Sequence, residues 1–121
     1  MSKPLIVIGH RMGGGEKTAN GVRKAGGEAI VIPGMVADMK LGSYMKEHNA
    51  DIGISFCGSG GAGAITAANQ FGFRAVHHLR TVEAGVRAVK DGYQVLGFGF
   101  MDTEELGIKL VETYLAVQKG E

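Results

Sequence analysis

The chain has 121 residues, of which 45% are hydrophobic and 21% charged, with a formal net charge of +1. This length predicts one domain over residues 1–121, and the composition excludes a disordered chain. The scattered Lys and Arg residues argue against a nucleic-acid-binding stripe or a polybasic membrane patch. The single cysteine excludes an intramolecular disulfide, and no apolar run approaches a membrane span, so we expect a cytoplasmic protein that is not membrane-embedded.

Short apolar runs alternate along the chain with longer segments of helical periodicity. The runs are continuous instead of alternating, which is typical of strands buried on both faces. They predict five strands, at 5–8, 29–32, 52–56, 74–77 and 94–98. The remaining segments predict five helices, at 15–26, 37–48, 62–71, 81–91 and 103–118. We expect Thr81, and either Asp102 or Thr103, to cap the last two helices.

Strand–helix repeats of this kind predict an α/β fold in three layers, a doubly wound parallel sheet with helices on both faces. For five strands we expect the order 2-1-3-4-5. The topological switch then lies between the first and third strands, where ligands bind at the carboxyl ends. The loops after Gly9 and Phe56, the two most glycine-rich stretches of the chain, should face each other there.

The loop after the third strand carries the strongest functional signal. Glycines without side chains let backbone N–H groups point inward, and the start of a helix adds its own free N–H groups. Cys57 at the edge of this anion cradle should have a lowered pKa, and Ser59 offers a hydroxyl. A small buried hydrophobe is the alternative for Cys57, and close packing could explain one or two of the glycines. The expected ligand-binding positions in the loop are Gly58, Gly60, Gly61, Ala62 and Gly63.

Positive groups lie at the ends of two other strands. His10, Arg11 and Lys17 flank three glycines after the first strand, and Arg11 could grip a phosphate bidentately. This stretch resembles a Walker A loop only superficially, because Glu16 separates the last glycine from Lys17. His78 and Arg80 follow the fourth strand and are further candidate ligand-binding residues. Two adjacent histidines without a third ligand do not predict a metal site.

Five stretches carry a resemblance to known proteins: Ile6-Val7-Ile8-Gly9, Cys57-Gly58-Ser59-Gly60, Ile65 through Asn69, Gly72-Phe73-Arg74-Ala75 and Gln94 through Gly99. They resemble type B ribose-5-phosphate isomerases and the related galactose-6-phosphate isomerases. More narrowly, Ser55 to Ser59 matches the signature of the glycine-rich SFCGS family, a bacterial group. The resemblance implies an isomerase-like fold without a cofactor, with Cys57 as the base and Ser59 and the amides of residues 60–63 around the enediolate oxygens.

The resemblance also implies partners and marks two departures. Related isomerases build each site from two chains, so we expect a homodimer or a higher homo-oligomer. Their Asp-His pair after the first strand reads Arg11-Met12 here, and their His-Asn pair from the neighbouring subunit reads Lys90-Asp91. Lys90 is therefore a candidate ligand-binding residue contributed by a second copy.

Three functions remain open from the sequence. The first is an isomerase-like enzyme that acts through Cys57 on a small phosphorylated sugar, a sugar acid or another small anion. The second is a cysteine phosphoryl carrier of a sugar phosphotransferase-like system, although those subunits carry their cysteine after the first strand. The third is a non-catalytic ligand-binding subunit, which the departures at Arg11-Met12 and Lys90-Asp91 favour.

Overall fold

The computed structural model describes residues 3–120 as five strands alternating with helices. Each strand lies within or close to its predicted run. The predicted helix 37–48 is divided into a 3₁₀ turn (Ala37–Lys40) and a regular helix. The strands are β1 (Leu5–His10), β2 (Glu28–Val31), β3 (Ile52–Phe56), β4 (Ala75–Leu79) and β5 (Val95–Phe98). The helices are α1 (Glu16–Lys24), α2 (Leu41–His48), α3 (Ala62–Phe71), α4 (Val82–Lys90) and α5 (Glu104–Gln118).

The sheet is parallel, as predicted, but its strand order is β2-β1-β3-β5-β4. The predicted order 2-1-3-4-5 is wrong for the last two strands, because β5 pairs with β3 and β4 forms the edge. Burial explains the exchange. All four residues of β5 are buried, whereas His77 and His78 of β4 are exposed, and imidazoles of this kind are accommodated at an edge more easily than inside a three-layer core.

Helices cover both faces of the sheet, which confirms the three-layer α/β architecture. On one face α1, α4 and α5 pack on Ile6, Ile54 and Phe98, while on the other the 3₁₀ turn, α2 and α3 pack on Val7 and Val95. Thr81 and Thr103 cap α4 and α5 as expected, through hydrogen bonds from the N–H groups of Ala84 and Leu106. Within residues 3–120 no helix is long and apolar enough to cross a membrane.

The switch point between β1 and β3 is unaffected by the exchange of the outer strands. β1 lies between β2 and β3 and pairs with both. The connections that follow β1 and β3 therefore cross to opposite faces of the sheet. His10 lies opposite Phe56 at the end of the ladder, and the N–H of Arg11 donates to the carbonyl of Phe56 at 2.8 Å. The first residues of the two glycine-rich loops are therefore side by side.

Candidate functional site at the carboxyl edge of the sheet

Cys57 directly follows β3, and its sulfur lies at the start of α3. The Sγ atom accepts hydrogen bonds from the N–H groups of Gly61 and Ala62, both at 3.2 Å. The hydroxyl oxygen of Ser59 lies 3.0 Å from the same sulfur. The cysteine is 2% exposed, so these contacts hold the sulfur in one position at the base of the loop. The structure thus brings together four of the loop residues that the sequence associated with an anion cradle, Cys57, Ser59, Gly61 and Ala62.

The hydrogen bonds at the sulfur favour its charged form. Burial by itself would raise the pKa of the Cys57 thiol, because a charge is poorly solvated away from water. The hydrogen bonds from Ser59, Ala62 and Gly61 outweigh that effect, so the pKa of Cys57 lies below the ordinary value of a cysteine. The predicted direction of this shift is confirmed. A cysteine in this setting is a candidate base or nucleophile.

Close packing requires three of the four glycines in the loop, and not the one or two that we expected. A β-carbon on Gly61 would lie 2.2 Å from Cα of Gly97 in β5, and one on Gly63 would lie 2.2 Å from the carbonyl oxygen of Asp38. A β-carbon on Gly60 would lie 2.5 Å from the ring of His78. Gly58 alone faces a more open rim, where the ring of Phe100 would be 3.5 Å away. The glycines thus have two roles: they let the loop pack closely against neighbouring segments, and they leave its amide groups uncovered.

His78 lies against this loop in an unusual backbone conformation. Its φ angle is 66°, in the left-handed region, where the regular register between β4 and β5 is interrupted. Its N–H donates to the carbonyl of Gly60 at 2.7 Å, and its Nδ1 lies 3.1 Å from Nδ1 of His77. The kink therefore connects the edge strand to the Cys57 loop. Strain of this kind is often found at functional sites.

Arg80 lies just beyond the same kink and is exposed. Its guanidinium reaches back over the end of β5, where Nη1 would be 3.5 Å from a β-carbon on Gly99. No ion pair involves Arg80 among residues 3–120. Two candidates from the fourth strand, His78 and Arg80, are thus on the same edge of the sheet as Cys57.

The loop after β1 places His10 beside an exposed aromatic ring. The imidazole packs against Gly14 and stacks on Phe100, with 5.1 Å between ring centroids. Its Nδ1 accepts the N–H of Met12 at 3.0 Å, so the hydrogen of the neutral ring is on Nε2. Burial lowers the pKa of His10, although the charges of Asp102 and Asp38 act in the opposite direction.

Arg11 is already paired with a buried carboxylate. Its Nε and Nη2 atoms donate to the two oxygens of Asp38, both at 2.8 Å. Asp38 is completely buried, while the side chain of Arg11 is 37% exposed. The hydrogen bonds and charge of Asp38 raise the pKa of Arg11, and the nearby Cys57 acts in the same direction. Arg11 is therefore a permanently charged group held next to the cysteine.

These residues belong to a recognised sequence family. A family model described as Glycine-rich SFCGS matches residues 5–117. The chain belongs to this family. A search of curated proteins finds no significant match.

Solved structures of type B ribose-5-phosphate isomerases resemble this SFCGS-family chain. The Trypanosoma brucei enzyme is 23% identical with a TM-score of 0.70, covering 94% of this chain and 86% of that one. The Thermotoga maritima enzyme is 20% identical with a TM-score of 0.66, covering 95% and 88%. The Mycoplasma genitalium enzyme, solved with bound ribulose-5-phosphate, is 18% identical with a TM-score of 0.66, covering 95% and 84%. At these identities the likeness shows a shared fold.

The N-terminus of α1 in this SFCGS-family protein is occupied by a carboxylate from the opposite end of the chain. Asp102 accepts the N–H of Gly15 at 3.1 Å, and from Thr18 it accepts the N–H at 2.8 Å and the hydroxyl at 2.7 Å. Burial would raise the pKa of Asp102, but these hydrogen bonds outweigh it and the pKa is lowered. Asp102 thus caps α1, and Thr103 caps α5. An incoming phosphate would have to compete with Asp102 for the N-terminus of α1.

Lys90 is far from the sulfur within one chain. It is the last residue of α4, which runs from the carboxyl end of β4 back to the amino end of β5. It also lines a groove of about 320 Å³ that runs along α4 and α5, together with Glu105 and Lys109. Lys17 is exposed in the first turn of α1. Of the candidates named from sequence, Lys90 is the one that lies at the opposite edge.

Sequence reasoning missed three residues of the site: Asp38, Asp102 and Phe100. Asp102 and Phe100 follow β5, so the rule that ligands meet at carboxyl ends could have identified them once β5 was placed beside β3. Asp38 carries no comparable signal, because it is a polar residue in the first turn of a helical segment. In the part of the chain that the structure describes, no three His, Cys, Asp or Glu side chains gather as a metal ion would require.

Proposed function

We propose that this protein moves a proton between adjacent carbons of a small phosphorylated sugar or sugar acid, an aldose–ketose type of isomerisation, with Cys57 as the base. The observation that carries the proposal is the set of three polar contacts at Sγ, from Ser59, Gly61 and Ala62. A thiolate stabilised in this way can accept a proton from a carbon next to a carbonyl. The isomerase fold, seen with bound ribulose-5-phosphate in the Mycoplasma protein, supports the substrate class.

The same donors can serve both the sulfur and the substrate. When Cys57 accepts the proton, negative charge leaves Sγ and develops on the enediolate oxygens of the substrate. The N–H groups of Gly61 and Ala62 and the hydroxyl of Ser59 then become free to stabilise that oxygen charge. The open side of Gly58 is the route by which the substrate reaches the sulfur, and the Nε2–H of His10 is a donor for a sugar hydroxyl.

The anionic end of the substrate has two candidate partners on the edge strand. Arg80 has no carboxylate partner in the described part of the chain, and its guanidinium lies over Gly99. His78 lies two residues earlier against Gly60. We assign the phosphate or carboxylate of the ligand to this pair, because Asp102 occupies the N-terminus of α1 and Cys57 the first amides of α3.

A second copy of the chain is part of the proposal. Large apolar side chains are exposed next to the β1 loop and α3, which is unusual unless a partner covers them. Lys90 can approach a Cys57 loop only from another copy, since it lies at the far edge of its own sheet. A monomeric mass by sedimentation equilibrium would contradict the oligomer. The exposed side chains are Met12, Met35, Val36, Met39 and Ile65.

Hydrogen exchange into sugar phosphates tests the proposed chemistry. The protein is incubated in D₂O with ribose 5-phosphate and a panel of hexose 6-phosphates, and NMR follows deuterium at the carbon next to the carbonyl. We expect exchange with at least one sugar, lowered about a hundredfold or more in Cys57→Ser, since a positioned general base contributes on that order. Ser43→Ala, at an exposed serine on α2, is the control variant and should leave the exchange rate unchanged.

The two alternative functions, a phosphoryl carrier and a non-catalytic subunit, predict different results with the same wild-type and Cys57→Ser proteins. Phosphate attached to Cys57 after incubation with a phosphorylated donor protein would support the phosphoryl carrier, which the cradled sulfur also suits. A sugar phosphate that raises the melting temperature equally in the wild type and Cys57→Ser, without exchange, would support a non-catalytic subunit. Absence of both exchange and stabilisation across the panel would refute the sugar-phosphate proposal.

A further inference from the structure

Close backbone packing on two sides holds Asp38, the partner of Arg11, in the site. A β-carbon on Gly9 would lie 2.8 Å from the carbonyl oxygen of Ala37 and 2.9 Å from Cα of Asp38. On the other side, a β-carbon on Gly63 would lie 2.2 Å from the carbonyl oxygen of Asp38. Two glycines from separate elements therefore form a slot that admits the backbone of Asp38 between β1 and α3.

The segment that enters this slot is held in a strained conformation. Val36, immediately before the 3₁₀ turn, has a φ of 59°, which is rare for a β-branched residue. Its N–H donates to the carbonyl of Arg11 at 2.7 Å, and its own carbonyl accepts the N–H of Met39 at 3.1 Å. The chain thus accepts local strain where it connects Asp38 to Arg11. Such strain persists only where surrounding contacts over-determine it.

The pairing leaves one edge of the Arg11 guanidinium available. A guanidinium has five N–H donors, and Asp38 takes the one on Nε and one of the two on Nη2. The two on Nη1 and the second on Nη2 remain, and Nη1 and Nη2 together present a fork for two adjacent oxygens. Since the side chain is 37% exposed, a small molecule can reach this fork.

Arg11 and Asp38 both lie beside the Cys57 loop. The backbone of Arg11 is hydrogen-bonded to Phe56, the residue before Cys57, and the charge at Cys57 is close enough to act on Arg11. We propose that the free edge of Arg11 binds the two adjacent oxygens of the enediolate, one on the carbon that Cys57 deprotonates and one on the carbonyl carbon beside it, and that Asp38 is the positioning residue that aims it. This inference rests on the proposed function only in taking Cys57 as the group that meets the substrate.

The sole cysteine allows a test that needs no substrate. Iodoacetate and iodoacetamide both react when the thiolate attacks the CH₂ carbon, forming a C–S bond and expelling iodide. They differ in whether the neighbouring carbon carries an anionic carboxylate or a neutral amide. Both rates are proportional to the same thiolate fraction, so their ratio at one pH does not depend on it. A cation beside Sγ raises this ratio, because it attracts the anionic reagent. The same chain unfolded in urea supplies the reference ratio.

We expect the iodoacetate-to-iodoacetamide ratio to be about tenfold higher in the folded protein than in the unfolded chain, as one nearby charge can provide. Arg11→Gln should return it close to the unfolded value. Asp38→Asn should also lower it several-fold although the cation is kept, a result that a merely structural role would not produce, and Asp38→Glu should restore part of it. Arg87→Gln on α4 is the matched control and should leave the ratio unchanged.

The remaining outcomes distinguish this inference from the proposed function. If Arg11→Gln is too unstable because it leaves Asp38 unpaired, the double variant Arg11→Gln with Asp38→Asn removes both partners and should show the same low ratio. A folded ratio equal to the unfolded one, with both reagents reacting, overturns the role of Arg11 and leaves Cys57 as the proposed base. A high ratio that Arg80→Gln lowers and Arg11→Gln does not also overturns it. Failure of both reagents to react with the folded chain overturns both proposals.

Discussion

The two glycine-rich loops at the switch point have similar designs and different occupants. In each, a glycine in the left-handed region precedes a helix, Gly15 with φ 115° before α1 and Gly61 with φ 111° before α3. The amides at α3 bind the sulfur of Cys57, from the same loop, whereas those at α1 bind the carboxylate of Asp102, from a remote loop. One loop thus holds the sulfur of the candidate base and the other an internal carboxylate. A glycine-rich helix start is therefore not by itself a vacant phosphate site.

The largest expected effect comes from filling the space at Gly61. Gly61→Ala would place a β-carbon against the backbone of Gly97, which cannot move aside, in a conformation that alanine disfavours. We expect a loss of about 4 kcal/mol in the free energy of unfolding, measured in urea. Gly15→Ala would meet the γ2-methyl of Ile8 at 2.8 Å, a milder overlap than that of Gly61→Ala with backbone atoms, and should cost about 2 kcal/mol. Gly72→Ala, also at positive φ but in open space, should cost about 1 kcal/mol. Equal losses at Gly61 and Gly72 would refute the packing explanation.

An intermediate effect is expected at the other loop when the carboxylate of Asp102 is neutralised. Asp102→Asn should lower the free energy of unfolding by about 2 kcal/mol near neutral pH, because a charged acceptor of three hydrogen bonds is lost. The pKa of Asp102 is lowered in the folded state, so its contribution is fully present above the unfolded value of about 3.9 and is lost as the pH falls through the folded pKa. The difference between variant and wild type should therefore shrink below about pH 4. Glu47→Gln, at an exposed position on α2, is the control, and a difference independent of pH would contradict this explanation.

The smallest expected effect concerns the hydroxyl at the sulfur. Ser59→Ala removes one hydrogen bond that favours the thiolate, so the pKa of Cys57 should rise. Alkylation by iodoacetamide near neutral pH should then be about threefold slower, corresponding to one hydrogen bond. The pH dependence of the rate measures the shift directly, since Cys57 is the single cysteine. Ser43→Ala should leave the profile unchanged, and an unaltered profile in Ser59→Ala would show that the amides alone stabilise the thiolate.

The prediction of the fold succeeded where the signal was local. Apolar runs and caps such as Thr81 depend on neighbouring residues, and the structure has a strand or helix at each predicted segment. The order of the last two strands depends on which strand is covered on both sides. Two exposed histidines, His77 and His78, identify β4 as the edge strand, and Gly97 lets β5 pack under Gly61. That complementarity joins positions far apart in the chain, so the sequence pattern alone did not reveal it.

The candidate site also combines contacts between neighbouring positions, which could be predicted, with contacts between distant positions, which could not. Cys57, Ser59, Gly61 and Ala62 were predicted because they contact one another within six positions, where the turn and the helix start determine the geometry. The partner of Arg11 lies 27 positions away and that of Thr18 lies 84 positions away. No periodicity or motif specifies such contacts. They form when separate segments pack on the same edge of the sheet.

The sequence by itself determined where the candidate site lies and which side chain is the candidate base. The glycines around Cys57 and the helix that follows act over a few residues, so an anion-stabilising loop with a sulfur at its edge could be inferred from their order. Only the tertiary structure decided how the neighbouring charges are used. It pairs Arg11 with Asp38 and closes the N-terminus of α1 with Asp102, because the burial of a carboxylate is favourable only where distant segments bring donors to it.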